Sequence, residues 1–241
     1  MPAEFIASDV HLGAVPSDTE RRFVGFLEHV GAEGESLLLN GDIFDFWFEY
    51  GSVIPGRHLR VLGALAALAD AGIRVTFVGG NHDAWGGSYL EGEIGLRVVE
   101  GPALLELAGR PALVAHGDGL GTGDLGYRIL RAVIRSRPAI WAFRALHPEL
   151  GVRLASAVSS TESRGELDAS YTSRRSDALF EWARGRLAER PELAWVVCGH
   201  AHAPRLEEVE PGRWYANSGD WLTNDSYVRI DDGRPRLLRW P

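Results

Sequence analysis

The sequence predicts an α/β fold, in which buried strands alternate with amphipathic helices. Three observations favour it: short apolar runs rich in β-branched residues, intervening segments with helical spacing, and polar turns directly after several strands. A length of 241 residues suits one large domain, with or without an insertion, and is ample for a hydrophobic core. We expect a single domain over residues 1–241, with a helical cap insertion at about 122–190.

The predicted strands share a short apolar run bounded by turn-forming residues. In chain order they cover residues 3–7, 36–39, 73–78, 96–99, 103–107, 112–115, 193–197, 213–216, 227–230 and 237–239. The first three strands alternate with two helical segments, which is the pattern of an α/β domain.

The predicted helices are justified by spacing and by their end signals. The first begins at Ser17-Asp18-Thr19-Glu20, which offers N-cap chemistry, and continues to about Val30 with apolar residues at helical spacing. The second covers residues 57–71 and is stopped by a glycine. From Asp124 to about Arg190 the pattern is again helical, and this segment is the insertion.

Charge and cysteine content narrow the class of protein. The formal net charge is −8 and the sequence pI is about 5.5, which argues against a dedicated nucleic-acid binder. The single cysteine, Cys198, excludes an internal disulfide framework and fits a reducing compartment. The N-terminus lacks a signal-peptide pattern, and no apolar run approaches the roughly 20 residues of a spanning helix. We expect a cytoplasmic protein without a transmembrane segment.

Residues of metal-binding type follow five of the predicted strands. They are Asp9/His11, Asp42/Asp45, Asn81/His82/Asp83, His116/Asp118 and His200/His202. Loops at the carboxyl ends of strands in open α/β sheets meet in one crevice, so these side chains are expected to converge. Asparagine, aspartate and glycine also form ordinary turns, and one imidazole at a strand end is more often structural. Five such turns, holding five of the eight histidines, favour a common site.

The residue types indicate a pair of divalent metal ions. Carboxylate, imidazole and amide ligands without thiolate suit Mn²⁺, Fe²⁺ or Zn²⁺. One ion is expected to lie among Asp9, His11, Asp42 and His202. The other is expected to lie among Asp42, Asn81, His116 and His200, so that Asp42 bridges the two. Two ions about 3.5–4 Å apart can clamp the attacking and leaving oxygens of a phosphoryl displacement.

His82 and Asp83 are the expected catalytic residues. His82 is left over from the ligand set and is the natural proton donor to the leaving group. Asp83 is expected to accept a hydrogen bond from the other nitrogen of His82 and so to orient the ring. Asp45 and Asp118 have two interpretations, stabilisation of their turns or orientation of the ligands.

Five motifs occur in a fixed order along the chain. They are Ser8-Asp9-x-His11, Gly41-Asp42-x-x-Asp45, Gly80-Asn81-His82-Asp83, His116-Gly117-Asp118 and Gly199-His200-x-His202. In combination they resemble the motifs of the calcineurin-like metallophosphoesterases, and each alone is much less specific. The resemblance implies a four-layer α/β/β/α sandwich of two mixed sheets, with two metal ions at its rim.

Two linking segments, 41–47 and 116–124, and the long helical insertion resemble the UDP-2,3-diacylglucosamine hydrolases. That resemblance implies cleavage of the diphosphate of a UDP-linked diacyl sugar in lipid A synthesis, with release of UMP and usually with Mn²⁺. It implies that Asp124 and His200 contact substrate. From their places in the site, Asn81 and His82 are also expected to contact substrate. The best-known branch carries an arginine in place of His82, and this departure leaves the substrate open.

The insertion has a local excess of arginine. Residues 125–148 contain no acidic residue and carry Arg128, Arg131, Arg135, Arg137 and Arg144. A basic face beside apolar residues suits an anionic membrane surface or a phosphate-bearing lipid, and a cap packed on the core is an equal alternative. Further candidates for diphosphate contacts are Ser163, Arg164, Arg174 and Arg175, with solvated surface as the alternative for each.

The sequence therefore predicts a dinuclear metal-dependent hydrolase of a UDP-2,3-diacylglucosamine-like nucleotide lipid. Peripheral contact with the inner membrane surface is a further expectation, and no nucleic-acid partner is expected. The first alternative is a phosphodiesterase or phosphomonoesterase of another small substrate. The second is a non-catalytic metal-binding scaffold.

Overall fold

The computed structural model describes residues 3–50, 53–54, 56–85, 87–120, 133, 135–151, 153 and 169–241. Within these ranges the strands are β1 (Ala3–Ala7), β2 (Gly34–Asn40), β3 (Arg74–Val78), β4 (Arg97–Val99), β5 (Ala103–Leu107), β6 (Arg110–Val114), β7 (Trp195–Cys198), β8 (Arg205–Glu210), β9 (Arg213–Asn217), β10 (Ser226–Asp231) and β11 (Arg234–Arg239). The helices are α1 (Ser17–Glu33), α2 (Leu59–Asp70), α3 (Ser88–Gly92), α4 (Arg137–Arg144) and α5 (Ala169–Glu189).

The strands form two mixed sheets. The first has six strands in the order β11-β10-β1-β2-β3-β4, and the second has five in the order β5-β6-β7-β9-β8. Strands β1 to β4 are parallel, as are β6, β7 and β9, while the outer strands β5, β8, β10 and β11 pair antiparallel. Parallel strands end at the same edge of a sheet, so the polar turns after β1, β2 and β3 meet, as do those after β6 and β7.

Side chains of the central strands alternate between the two faces of each sheet and so contribute to three separate hydrophobic cores. Phe5 of β1 packs against α1 and α2, whereas its neighbour Ile6 lies between the two sheets. In the second sheet Val197 of β7 faces the same central layer, and Val196 packs on α5. The layers are therefore α1 and α2, the first sheet, the second sheet, and α5. This confirms the expected four-layer α/β/β/α sandwich of two mixed sheets.

The predicted insertion is only partly described. Helix α4 lies within it, and the long helix α5 ends it, but most of residues 122–168 lie outside the described ranges. The single domain with a helical cap over about 122–190 therefore stays a prediction. Among the described residues, no helix has both the length and the apolar character needed to cross a membrane.

Local details differ from the prediction in physically simple ways. Helix α1 has Pro16 as its N-cap and no side-chain cap hydrogen bond, so the N-cap expected from Ser17-Asp18-Thr19-Glu20 is wrong. The Pro16 carbonyl accepts from the Thr19 N–H at 3.0 Å instead. Neither β8 nor the short α3 is among the elements predicted from the sequence. Strand β8 lies at a sheet edge, where its half-exposed, charge-rich sequence shows no apolar run.

Candidate metal centre

The five polar turns converge on one rim that both sheets share. Three groups of side chains there bring their potential ligand atoms within 4.8 Å of one another. The groups are Asp9/His11/His202, His11/Asp42/His82 and Asp42/His116/His200. The first and third groups each combine turns of the first sheet with turns of the second, and the middle group connects them through His11 and Asp42.

Several of these residues adopt a backbone conformation that non-glycine residues rarely show. Positive φ angles occur at Asp9 (54°), His11 (52°), Asp42 (53°), His200 (63°) and His202 (52°). A left-handed residue costs on the order of 1–2 kcal/mol, and such residues collect at functional sites. The turns therefore place their side chains on the rim at a local cost in stability.

Two glycines allow the turns to approach each other. A Cβ at Gly80 would overlap the carboxylate of Asp42, and a Cβ at Gly41 would overlap the ring of His116. Gly41 also has a φ of +83°, which favours glycine. The glycines that precede Asp42 and Asn81 in their motifs are therefore required by close packing within the site.

The first group holds two imidazoles and a carboxylate at contact distance. His11 Nε2 lies 3.2 Å from His202 Nε2, which lies 3.4 Å from Asp9 Oδ1. The buried Asp9 carboxylate also accepts from the His200 backbone N–H at 2.9 Å. Two ring nitrogens and a carboxylate oxygen at this spacing suit a shared divalent cation.

The third group is arranged around Asp42. His116 Nε2 lies 3.0 Å from Asp42 Oδ2, while His116 Nδ1 donates to the Asn40 carbonyl at 2.8 Å. A carbonyl only accepts, so Nδ1 carries the hydrogen and Nε2 is the nitrogen left to bind a metal ion. The ring of His200 lies 5.1 Å from that of His116, between centroids. This donor set also fits a divalent cation.

Burial and neighbouring charges shift the pKa values of the ionisable groups in the site. Burial opposes the charge on Asp42 and on His116, but their mutual attraction outweighs it. The pKa of Asp42 is held well below its usual range, and the pKa of His116 is raised to about 10. The pairing with Asp42 therefore favours the proton on His116, and a metal ion at Nε2 would compete with that proton. Burial, assisted by the positive charge of Arg175, lowers the pKa of His200 well below its usual value.

His82 is held by Asp45. Its Nδ1 donates to the Asp45 carbonyl at 3.0 Å and lies 3.6 Å from the Asp45 carboxylate. The same carboxylate lies 3.8 Å from His11 Nδ1. Of the two interpretations of Asp45, orientation of the neighbouring imidazoles is the one that these distances support.

Asp83 has partners other than the predicted one. Its buried carboxylate accepts hydrogen bonds of 2.7–3.2 Å from the backbone N–H groups of Asp42, Ile43, Phe44 and Gly80. The prediction that Asp83 accepts from His82 is therefore wrong, because backbone amides occupy its oxygens. Burial, together with the charge of Asp42, raises the pKa of Asp83 to about 6. Asp83 ties the turn after β2 to the turn after β3.

Two arginines of the insertion reach the rim. Arg135 donates to the Gly80 carbonyl at 2.9 Å and lies 3.5 Å from the buried carboxylate of Asp118. Arg175 on α5 contacts His200 Nε2, whereas Arg174 is exposed to solvent. The other predicted contacts in the insertion fall outside the described residues; these are Asp124, Arg128, Arg131, Ser163 and Arg164.

Sequence reasoning missed two buried asparagines that position the rim. Asn40 Nδ2 donates to the Ala115 carbonyl at 3.1 Å and so joins the end of β2 to the end of β6. Asn217 Nδ2 donates to the Gly199 carbonyl at 2.9 Å. Both end a strand directly before a polar turn, and that position is the signal that could have identified them. Asn81 lies in the turn after β3, and its part as a metal ligand stays a prediction.

Comparison with known proteins relates the whole chain to phosphoesterases. The family model of the calcineurin-like phosphoesterases matches residues 5–204. A UDP-2,3-diacylglucosamine hydrolase of Porphyromonas gingivalis is 32% identical, and the match covers 97% of this chain and 95% of that protein. The protein of the same name from Escherichia coli O7:K1 is 28% identical over all of both chains. Among solved structures, the E. coli phosphoesterase Yfce matches 99% of this chain and 100% of its own, with a TM-score of 0.45 and 15% identity.

Proposed function

The chain belongs to the calcineurin-like phosphoesterase family, and from this premise we propose that it cleaves the diphosphate of a UDP-2,3-diacylglucosamine-like nucleotide lipid. The products would be UMP and a lipid sugar 1-phosphate. The class of enzyme, a metallophosphoesterase, follows from the family. The lipid substrate is supported by relatives of that name that match nearly the whole chain. The observation that carries the chemistry is the set of ligand groups on one rim, connected through His11 and Asp42.

Two divalent ions fit these groups, and Mn²⁺ is the ion we propose. Asp9, His11 and His202 would hold one ion, with Asp42 beside them. Asp42, His116 and His200 would hold the other, with Asn81 as a further ligand. The fit rests on oxygen and imidazole donors that lie within 4.8 Å of one another in the first and in the third group, and all residues of these two groups are buried except His202, which is half-buried. When bound, such ions polarise the phosphoryl oxygens as Lewis acids.

The residues of the chain supply the remaining chemistry. Water would form a new P–O bond at the phosphorus as the P–O bond to the leaving group breaks, and it would lose one proton to the solvent. Protonated His82 would donate the hydrogen on Nε2 to the departing oxygen, while Nδ1 stays on the Asp45 carbonyl. Asp83 would act by fixing the Asp42 and Asn81 turns, and Asn81 and His200 would hold the phosphoryl oxygens. Arg135 and Arg175 are placed beside Gly80 and His200 to pair with phosphate charge. Asp124, Ser163 and Arg164 are further substrate contacts of the proposal.

The decisive experiment compares two substrates with the Mn²⁺-loaded protein. Release of UMP from UDP-2,3-diacylglucosamine should be much faster, in kcat/KM, than hydrolysis of bis(4-nitrophenyl) phosphate. Hydrolysis of the aryl diester alone would reject the lipid substrate and favour a phosphodiesterase of another small substrate. Hydrolysis of neither would favour the non-catalytic scaffold.

We also propose that the protein works in the cytoplasm, in peripheral contact with the inner membrane. Helix α4 packs Phe143 against Phe48 and Trp85, with ring centroids 4.7 and 5.0 Å apart. Its other side leaves Trp141 74% exposed, near the exposed Arg137 and Arg144. An exposed tryptophan beside arginines suits an interface with anionic lipid.

Co-sedimentation with phosphatidylglycerol vesicles tests this contact. Trp141→Ser should weaken binding several-fold, because Trp141 is the most exposed large apolar side chain of α4. Leu104→Ser removes a comparably exposed apolar side chain on β5 and serves as the matched control. Equal binding by both variants would contradict a role for α4 in membrane contact.

A further inference from the structure

A groove of about 540 Å³ opens beside the first ligand group. His11, Asp45 and His202 form the end of the groove nearest the rim. Its walls come from the first turns of α5 and from the loop between β9 and β10. The volume lies within the ~300–1,000 Å³ typical of small-molecule sites.

One wall of the groove is fixed to the metal centre. Asp220 Oδ1 accepts from the backbone N–H groups of Leu222 (2.8 Å) and Thr223 (2.7 Å). Asn224 Nδ2 donates to Asp220 Oδ2 at 2.8 Å and to the His202 carbonyl at 3.3 Å. The loop that presents Leu222 is therefore held in register with a proposed ligand of the first ion. The part of a substrate that binds in the groove would therefore lie at a fixed distance from the phosphorus atom that reacts.

The lining of the groove combines a mostly apolar surface with several polar side chains, and it is poor in positive charge. The α5 wall presents the hydroxyl groups of Ser173 and Ser176, each able to donate and accept, and the opposite wall presents Leu222. Among the described residues that line the groove, none is an arginine, and Asp45, Asp177 and Asp220 contribute carboxylates. Such a lining disfavours phosphate and suits a neutral group with hydroxyl and amide functions.

The positive charges of the site lie elsewhere. Arg135 contacts Gly80 and Asp118, and Arg175 contacts His200, so both lie beside the third ligand group. Neither of them lines the groove. The exposed apolar side chain of Trp141 also belongs to the element that follows Arg135 in the chain. Among the described residues, these two arginines therefore lie on the side of the third ligand group, and the groove lies on the side of the first.

We propose that this groove binds the nucleoside of the substrate. The uracil ring would pack on Leu222, and the ribose hydroxyls would meet the serines of α5. The diphosphate would then extend across the metal centre toward Arg135 and Arg175, with the lipid on the side of helix α4. This inference rests on the proposed function, which supplies a nucleotide at one end of the substrate.

Titration calorimetry with the Mn²⁺-loaded protein tests the groove without relying on turnover. The probes are UMP and inorganic phosphate. Leu222, 42% exposed, can be enlarged to tryptophan with little risk to the core, and Leu222→Trp should weaken UMP binding at least about tenfold while phosphate binding stays the same. Ser173→Trp narrows the groove from the other wall and should have the same effect. Leu104→Trp, at a position 55% exposed on β5, is the matched control and should bind UMP as the wild type does.

The outcomes separate the groove from the proposed function. UMP affinity that is unchanged in both groove variants, or UMP that binds wild type no more tightly than phosphate, would overturn the nucleoside assignment. Equal loss of UMP and phosphate binding would overturn it as well, since the damage would then lie at the metal centre. If the wild-type protein releases UMP from the nucleotide lipid while any of these binding results is found, the proposed function remains intact. Failure of the wild type to release UMP would overturn the function, and the groove assignment with it.

Discussion

At the scale of single residues, the site depends on which ring nitrogen of each histidine donates a hydrogen bond to the backbone. Nδ1 of His116 donates to the Asn40 carbonyl, and Nδ1 of His82 donates to the Asp45 carbonyl. In both rings Nε2 is then the nitrogen available for other chemistry. His116 Nε2 faces Asp42 and suits a metal ion, while His82 belongs to the middle group between the two ion sites. The same local device thus serves two roles.

The His82→Ala variant should retain the metal ions, and its kcat should fall by about 10²–10⁴-fold. The loss is that expected when a positioned proton donor is removed. Steady-state UMP release and elemental analysis of the same sample are the measurements. Wild-type turnover would remove His82 from the mechanism, and loss of metal would make it a ligand instead.

Residue types at strand ends were predictable, but their partners were only partly so. The sequence indicates Asp9, Asp42 and His202 because carboxylates and imidazoles at strand ends carry a chemical signature. It does not indicate that the Asp83 carboxylate accepts hydrogen bonds from four backbone N–H groups. Every residue except proline carries such a group, so the sequence does not show which of them will lie beside Asp83. Asn40 was missed for a related reason: it reads as the last residue of a strand, while its side chain acts across the two sheets.

At the scale of elements, the aromatic segment after Asp45 is fastened to the start of α3 by Glu49. Its carboxylate accepts from the Gly87 N–H (2.8 Å), the Ser88 hydroxyl (2.9 Å) and the Tyr89 N–H (3.0 Å). The indole N–H of Trp47 also donates to it, at 3.3 Å. Although burial favours the neutral acid, these hydrogen bonds outweigh it and lower the pKa of Glu49 below its usual 4.5.

Glu49→Gln should reduce the free energy of unfolding by roughly 1–3 kcal/mol near neutral pH. The glutamine amide has one acceptor oxygen where the carboxylate has two, so some of the buried donors would lose their hydrogen bond. The folded-state pKa of Glu49 lies below the unfolded one, so its contribution is present above 4.5 and is lost as the pH falls through the folded-state value. Urea unfolding of the metal-free protein at neutral and acidic pH measures both effects. Glu28→Gln, at an exposed position on α1, is the control. A difference between wild type and Glu49→Gln that does not shrink in acid would contradict this account.

Elements were predictable where an apolar run continues through them. Strands β1, β2, β3 and β7 are buried over most of their length and show such runs. Edge strand β8 has no apolar run of this kind and exists because β9 offers it a partner. Pairing of this type depends on tertiary structure, so the local sequence does not reveal it.

At the scale of the whole molecule, each proposed ion would connect the two sheets. Asp9 and His11 follow β1 of the first sheet, and His202 follows β7 of the second. Asp42 of the first sheet likewise meets His116 and His200 of the second. Ion binding should therefore oppose separation of the sheets, in addition to its chemical role.

Mn²⁺ should raise the free energy of unfolding by about 2.7 kcal/mol for each site at a free concentration 100 times its Kd. Calorimetric melting with and without Mn²⁺ measures the gain. Asp42→Ala should bind neither ion and should show no gain, because Asp42 joins the two groups. Asp70→Ala, at an exposed position on α2, should behave as the wild type does. Full metal content in Asp42→Ala would contradict the bridge.

The sequence separation within the first group has a consequence for how the protein is made. His11 and His202 lie in contact although 191 positions of chain separate them. Both proposed ion sites need residues 200 or 202 to be complete, so a chain still emerging from the ribosome would carry half-sites only. Nucleotide hydrolysis would begin only after residue 202 has left the ribosome and the sheets have docked, and chains that end before residue 200 would be inert.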